Sequence, residues 1–175
     1  MTNKDAIRKI LVVSSIIIAI LAFIMMFLPA LSLTVAGATE NVNGYEIVFG
    51  KKSQGLQFLN FSFGSLLTYL LVLAGGISFF VGNKKDNKKM KIYAIICFIL
   101  STIFFFCTKE MMVIDRAIFQ TNLTDEGYAL AVNMFKGMMK NSVGVILGGI
   151  LCILCTITIT LELLLDKIYG FFENK

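Results

Sequence analysis

Four apolar blocks, each close to the length of a membrane-spanning helix, dominate the sequence. The blocks cover residues 10–28, 63–81, 92–107 and 143–165. Crossing about 30 Å of hydrocarbon as a helix takes roughly 17 to 25 apolar residues, so we expect the short third block to continue past Cys107. Because 57% of the residues are hydrophobic and only 15% are charged, a soluble fold of this size could not hide the apolar surface. The blocks predict an all-α membrane protein, a four-transmembrane-helix bundle forming a single membrane domain over residues 1–175.

Basic residues are distributed unequally between the segments that flank the blocks. Ten Lys and Arg residues lie before the first block, between the second and third, and after the fourth. The other two segments carry six basic and six acidic residues, so their net charge is zero. The positive-inside rule then predicts that both ends of the chain lie on the cytoplasmic side of a cell membrane. The first block is too long for a typical cleaved signal peptide, and we expect it to remain as a helix.

The segment 83–91 between the second and third blocks holds five of these basic residues. Such a cluster at the membrane surface attracts anionic lipid headgroups, which we expect to be its partner beside the bilayer itself. It lacks the aromatic or helical readout elements of nucleic-acid-binding proteins, so we expect no nucleic-acid partner. The simpler interpretation, that these lysines only fix the topology, is also open.

The outer segment between the first two blocks changes from helical to alternating periodicity. Apolar residues alternate with polar ones from Leu31, and again after Asn43-Gly44. Asn-Gly between alternating runs is a strong hairpin signal. We therefore predict a small extracellular antiparallel β-hairpin over residues 31–50, with residues 39–42 as a possible third strand and Gly37 and Gly50 closing its other ends.

The outer segment between the last two blocks, residues 109–141, is predicted to be helical. Its first part should continue the third block as a helix, and residues 122–124 should interrupt it. Thr124 is placed to cap a second helix, with two acidic residues in its first turn. The apolar stripe of that helix comprises Leu130, Met134, Phe135, Met138 and Met139. Methionine-rich stripes more often fill a core than bind a partner, and we expect the same here.

Cys152 and Cys155 form the one motif that could carry out a redox reaction, because two thiols at this spacing can form a disulfide. The Cys-x-x-Cys in a fourth helix resembles that of the vitamin K epoxide reductase family, which implies a thiol oxidoreductase pairing with quinone. The outer-loop cysteines of that family have no counterpart here, since Cys97 and Cys107 lie in the third block. A packing role is favoured, because Cys152 continues a small-residue face from Gly144 and Gly148 that could pack on residues 74–76 of the second block.

No other pattern points to catalysis, a cofactor or a metal, and the chain has no histidine. Glu162, the one charge within a block, lies close to Asp166 and Lys167 in the sequence, and we expect it at the surface near the end of its helix, either snorkelled or paired. We therefore predict no catalytic, cofactor-binding or metal-binding residues and no enzymatic activity.

The order of helix, outer hairpin, helix, basic inner loop, helix, outer helical segment and helix resembles the claudin and peripheral-myelin-protein superfamily. That resemblance implies a barrier, adhesion or channel-auxiliary role. The tryptophan and disulfide positions of that superfamily have no counterpart here. The leading hypothesis is a non-catalytic bacterial membrane protein that binds another membrane or extracellular protein through its outer segments. The alternatives are the thiol oxidoreductase and an immunity-type protein against a membrane-active toxin.

Overall fold

The computed structural model describes residues 3–35, 38–53, 56–119 and 123–173, and four long helices form most of it. They are α1 (Asn3–Ile24), α3 (Phe63–Lys84), α4 (Lys88–Phe106) and α7 (Val143–Glu173). Each contains a stretch long and apolar enough to cross a membrane. The four predicted helices are confirmed, and they indicate a multi-pass membrane protein.

The four helices form a ring. α3 and α4 share the largest interface, and α7 packs along both α1 and α4. α1 and α3 close the ring through the smallest of the four interfaces. The start of α1, the α3–α4 turn and the last part of α7 lie at one end of the bundle, which we call the basic end. The opposite end, the sheet end, carries the strands.

Two small antiparallel sheets cover the sheet end and join the two segments that were predicted to lie outside. The strands are β1 (Pro29–Val35), β2 (Ala38–Asn43), β3 (Lys51–Ser53), β4 (Leu56–Asn60), β5 (Val113–Ile114) and β6 (Met139–Asn141). The first sheet has the order β2-β1-β6 and the second β3-β4-β5. The predicted antiparallel sheet is confirmed, and each sheet is completed by a strand from the second segment, which had been expected to be helical.

Asn43-Gly44 is not the hairpin turn that the sequence predicts. β1 and β2 are antiparallel, and their pairs run from Val35 with Ala38 to Pro29 with Asn43, so Asn43 lies at the end of the hairpin away from the connection between the strands. Gly37, which was predicted to close an end of the hairpin, lies outside the described residues. Asn43 instead caps the short helix α2 (Gly44–Phe49) in a capping box with Glu46. Asn-Gly suits a helix start as well as a turn, because asparagine is a favoured N-cap residue.

Packing explains the glycine at position 44. A Cβ there would overlap the hydroxyl of Tyr69 in α3 and lie 2.8 Å from the Met26 carbonyl oxygen. Gly50 does take a positive φ, 94°, where α2 passes into β3. Residues 39–42 belong to β2 and form no separate third strand.

The predicted continuation of the third helix is wrong in part. α4 ends at Phe106, and after Cys107 only the four-residue helix α5 (Thr108–Met111) follows before β5. The second helix of this segment, α6 (Asp125–Met138), is confirmed. The Thr124 hydroxyl caps it by accepting a hydrogen bond from the Gly127 amide at 3.2 Å.

The small residues of α7 pack differently from the prediction. A Cβ on Gly148 would lie 2.6 Å from the Phe105 ring of α4, and one on Gly149 would lie 2.8 Å from Phe106. Gly75 of α3 likewise faces Phe98 of α4 at 3.0 Å. Gly75, Gly148 and Gly149 therefore accommodate aromatic rings of α4, which lies between α3 and α7, and do not form a ridge against each other.

Candidate functional site

Helix α6 is attached to the second sheet by its aromatic side chains. The Phe135 ring packs edge-on against Phe58 of β4, with centroids 5.7 Å apart. The Tyr128 hydroxyl donates a hydrogen bond of 2.7 Å to the carbonyl oxygen of Ile114 in β5. These contacts fix one side of α6 on the sheet end, so its other side has a defined orientation.

That other side carries a stripe of large apolar residues open to the surroundings. Leu130 and Met134 are each 66% exposed, and Met138 is 51% exposed. The three residues are spaced by four and therefore lie one above another on a single helical face. Nothing lies within 4 Å of the place a Cβ on neighbouring Gly137 would occupy. We call Leu130, Met134 and Met138 the α6 stripe.

The core role expected for the apolar residues of α6 is therefore confirmed only in part. Phe135 packs against the core and Met139 in β6 is buried, as predicted. The α6 stripe is exposed instead. Periodicity identified an apolar helix face correctly, but this face is wider than the surface that β4 and β5 cover.

Cys152 and Cys155 are completely buried in the middle of α7, and both are free thiols. The Cys155 thiol donates a long hydrogen bond of 3.5 Å to the Ser15 carbonyl oxygen of α1. One turn away, Ser15 donates through its hydroxyl to Thr158 of α7 at 2.7 Å. The two cysteines thus lie within the helix packing, where α1 and α7 are joined by small polar groups.

The lysines of segment 83–91 differ in their surroundings. Lys84, Lys85, Lys88 and Lys89 are exposed at the basic end, whereas Lys91 is only 4% exposed. The Asn87 side chain caps α4 by accepting hydrogen bonds from the amides of Lys89 and Met90. Because this cap turns the chain into α4, Lys91 is carried to the inner side of the helix.

Lys91 forms a buried ion pair with Glu162 of α7. Its ammonium group lies 2.9 and 3.0 Å from the two carboxylate oxygens, and Glu162 is 1% exposed. The Arg8 Nε atom of α1 lies 3.3 Å from the same carboxylate. Asp86, in the α3–α4 turn, approaches the Lys91 ammonium at 3.9 Å. One carboxylate therefore joins three helices at the basic end.

The predicted surface position of Glu162 is wrong. It had been expected at the surface close to Asp166 and Lys167, whose side chains lie outside the described residues. The sequence contained a usable signal: Glu162 is the one charge within the apolar blocks, and Lys91 immediately precedes the third block, at the same end of the bundle. Nothing in a single sequence states which of the five segment lysines turns inward.

In the described part of the chain, no group of three or more His, Cys, Asp or Glu side chains is placed to hold a metal ion. Comparison of the sequence with protein-family models and with curated proteins finds no match. The fold and the arrangement of the two ends are therefore the basis for any functional argument.

Proposed function

We propose that this chain is a non-catalytic accessory or structural membrane protein that binds another membrane or extracellular protein through its sheet end. The observation that supports this most directly is the α6 stripe, held open on a helix that the second sheet orients. Burying a large apolar side chain contributes about 1.5–3 kcal/mol. A partner that covers the stripe would gain that free energy at three positions without first having to order α6.

The side chains in the stripe suit such a role. Two of the three are methionines, whose flexible thioethers adapt to irregular partner surfaces. The stripe is bordered by the exposed polar residue Asn133. An apolar centre with a polar border is the common composition of protein interfaces.

The proposal places the sheet end outside the cell and both chain ends in the cytoplasm of a bacterial plasma membrane. The support is the concentration of exposed lysines at the basic end, which the positive-inside rule assigns to the cytoplasm. Anionic lipid headgroups would be the partners of Lys84, Lys85, Lys88 and Lys89.

We further propose a claudin-like arrangement at the level of topology. Support comes from the order of elements: strands follow the first helix, and the segment after the third helix adds strands to the same sheets. Since fold likeness alone does not define function, this arrangement does not assign the barrier, adhesion or channel-auxiliary roles of that superfamily to the chain.

The non-catalytic part of the proposal is supported by the position of the thiols. Thiol exchange requires a thiolate that a partner can reach. Cys152 and Cys155 are each fully enclosed by side chains in the helix bundle. Packing is consistent with both their burial and the Cys155 hydrogen bond to α1.

Site-specific crosslinking in intact cells tests the proposed interaction. A photoreactive amino acid at position 134 should form an adduct with a second protein, and the same amino acid at exposed Lys52 should not. Because interface hot spots contribute about 2 kcal/mol or more each, the double variant Leu130→Ser/Met134→Ser should reduce co-purification of that protein at least tenfold.

Lys52→Ser, at the exposed position already used as the crosslinking control, provides the control variant and should leave co-purification unchanged. Adducts that form equally from positions 52 and 134, or co-purification that survives the double variant, would contradict the proposal. Circular dichroism and a melting curve of the double variant establish that α6 has remained folded.

A further inference from the structure

The interface between α1 and α3 contains two cavities that open along one face of α1. The first, about 420 Å³ at the basic end, is lined by Asp5, Arg8, Lys9, Val12, Val13 and Asn83. The second, about 190 Å³, has Ile16, Ala19, Ile20 and Phe23 of α1 on one side and Val72, Leu73, Gly76 and Ile77 of α3 on the other. The α1 residues follow helical spacing, so both cavities lie along one face of α1, and we call the two together the α1–α3 groove.

The groove changes chemically along its length. At the basic end it presents Arg8 and Lys9 against one acidic residue, Asp5, so its charge is positive. From Val12 to Phe23 its α1 side is apolar. These eleven steps at 1.5 Å each cover about 16 Å, which is close to half of the roughly 30 Å hydrocarbon thickness of a bilayer. A charged mouth above an apolar channel of one leaflet's depth has the polarity profile of a phospholipid.

The position of the mouth agrees with this polarity. Arg8 joins Glu162, at the end of the bundle where the exposed lysines lie, and therefore at headgroup depth. A guanidinium group has five N–H donors, so one arginine can contact more than one anionic group. Arginine in particular matches the geometry of phosphate oxygens.

The floor of the groove is formed by small residues. A Cβ built on Gly76 would lie 3.5 Å from the Cβ of Ala19, an ordinary van der Waals distance. Larger side chains, Phe23 and Ile77 among them, form the walls around this contact. A longer side chain at position 76 would therefore enter the groove, whereas an alanine would not fill it.

We propose that the α1–α3 groove binds one anionic glycerophospholipid, with its phosphate at Arg8 and Lys9 and one acyl chain along Ala19 and Gly76. This site uses the basic residues of α1 and is distinct from the exposed lysines of the α3–α4 turn. It is independent of the sheet-end interaction, because the groove is lined by residues of α1 and α3 whereas that interaction uses the α6 stripe.

Native mass spectrometry of the full chain, purified in mild detergent and titrated with phosphatidylglycerol or phosphatidylcholine, tests the site. The wild type should retain one phosphatidylglycerol in preference to phosphatidylcholine. Lys9→Gln should weaken this retention about fivefold, because one basic residue near an anionic headgroup contributes about that factor. Lys89→Gln, which removes the same charge from the α3–α4 turn, should leave retention unchanged.

A second pair of variants tests the acyl-chain part of the groove. Gly76→Leu should abolish retention, and Gly76→Ala should preserve it. Inorganic phosphate at the same concentration should not displace the lipid, since the acyl chain contributes to binding. A melting curve for each variant shows whether the bundle is intact, and Lys9→Gln, which changes no packed residue, keeps the test valid if Gly76→Leu fails to fold.

Three outcomes would overturn the proposal. Equal loss of lipid in Lys9→Gln and Lys89→Gln would mean a general attraction to the basic end. Equal retention of the two lipids would remove the role of the charged mouth. A dimer that Gly76→Leu dissociates would show that a second copy of the chain, and not a lipid, occupies the groove.

Discussion

Glu162 lies where three helices meet, and the two cations beside its carboxylate come from two other helices. Transferring an ion into an apolar interior costs several kcal/mol, which is recovered only with close oppositely charged partners. Lys91 provides such a partner through two short contacts, and Arg8 adds a third at 3.3 Å. The main effect of the cluster is therefore to define the relative positions of α1, α4 and α7. Its net contribution to the stability of the bundle is small, since an apolar replacement could pack as well.

Removal of one member of this pair should be more damaging than removal of both. Glu162→Leu leaves Lys91 buried, and among the described residues its remaining ion-pair partner is Asp86, at 3.9 Å. We expect its free energy of unfolding to fall by about 3–5 kcal/mol. In Lys91→Met/Glu162→Leu both members of the buried pair are gone, and the remaining cation, Arg8, has a side chain that is 36% exposed to the surroundings. Most of the loss should therefore be recovered. Reversible unfolding in mixed micelles measures the free energy of unfolding of the wild type, of Glu162→Leu and of the double variant.

The exposed pair Arg116 and Asp125 on the sheet end is the control for this cycle. Replacing Arg116 by methionine should change stability by less than about 1 kcal/mol, because exposed ion pairs contribute little. If the double variant at positions 91 and 162 were as unstable as Glu162→Leu, the pair would be a net source of stability and our account of its role would be wrong.

At the scale of elements, α4 determines how closely its neighbours approach, because its phenylalanines fill the space above glycines of α3 and α7. Phe105 is fully buried, and its ring approaches Gly148 of α7 more closely than any added Cβ would tolerate. Gly76 of α3 is different, since an added Cβ would meet Ala19 at an ordinary distance. The two glycines therefore have different tolerances despite similar positions within membrane helices.

Gly148→Ala should destabilise the bundle by about 1–3 kcal/mol, because the ring of Phe105 or the backbone of α7 must move. Gly76→Ala should be neutral or slightly stabilising, since alanine has the higher helix propensity. Thermal unfolding of the two variants in the same detergent measures the difference. Equal melting temperatures would show that Phe105 can rotate away without cost.

The sequence predicts elements well where one physical effect dominates, and less well where two effects compete. The apolar blocks predict all four long helices, since only a helix or a closed barrel satisfies its backbone in lipid. The run from Tyr45 to Phe49 alternates as a strand would, but the Asn43 cap and the burial of Ile47 make it helical. β6 has only three residues, and its pairing with Leu31–Leu33 depends on a segment more than a hundred residues away.

The candidate functional surfaces likewise divide into features that the sequence predicts and features that it does not. The positive segment 83–91 is visible in the sequence, because charge is read directly. The inward turn of Lys91 and the α1–α3 groove depend on the rotation of helices about their axes, which a run of uniformly apolar residues does not determine. The same holds for the α6 stripe, where the exposed part of an apolar face depends on how much of it β4 and β5 cover.

At the scale of the whole molecule, the two ends have opposite characters. The basic end is a cluster of charges around the α3–α4 turn. The sheet end is a layered cap, in which both outer segments contribute strands to the same two sheets. Asn60 of β4 donates a hydrogen bond to Asp115 after β5, at 2.9 Å, so the two segments are also joined through side chains. The two segments therefore form one layer, on which the contacts of Phe135 and Tyr128 hold α6.

The asymmetry predicts one orientation in the membrane, which accessibility to a membrane-impermeant maleimide can establish. Cysteines introduced at Asn43, Asn87 and Glu173 in a Cys107→Ser background, which removes the exposed native thiol, sample the sheet end, the α3–α4 turn and the end of α7. In intact cells only the cysteine at position 43 should react, and permeabilisation should expose the other two. Labelling at position 87 but not at 43 would mean the reverse orientation, and the proposed extracellular partner would then have to be cytoplasmic. Because the lipid groove depends on headgroup charge and not on the side of the membrane, that proposal would stand under either result.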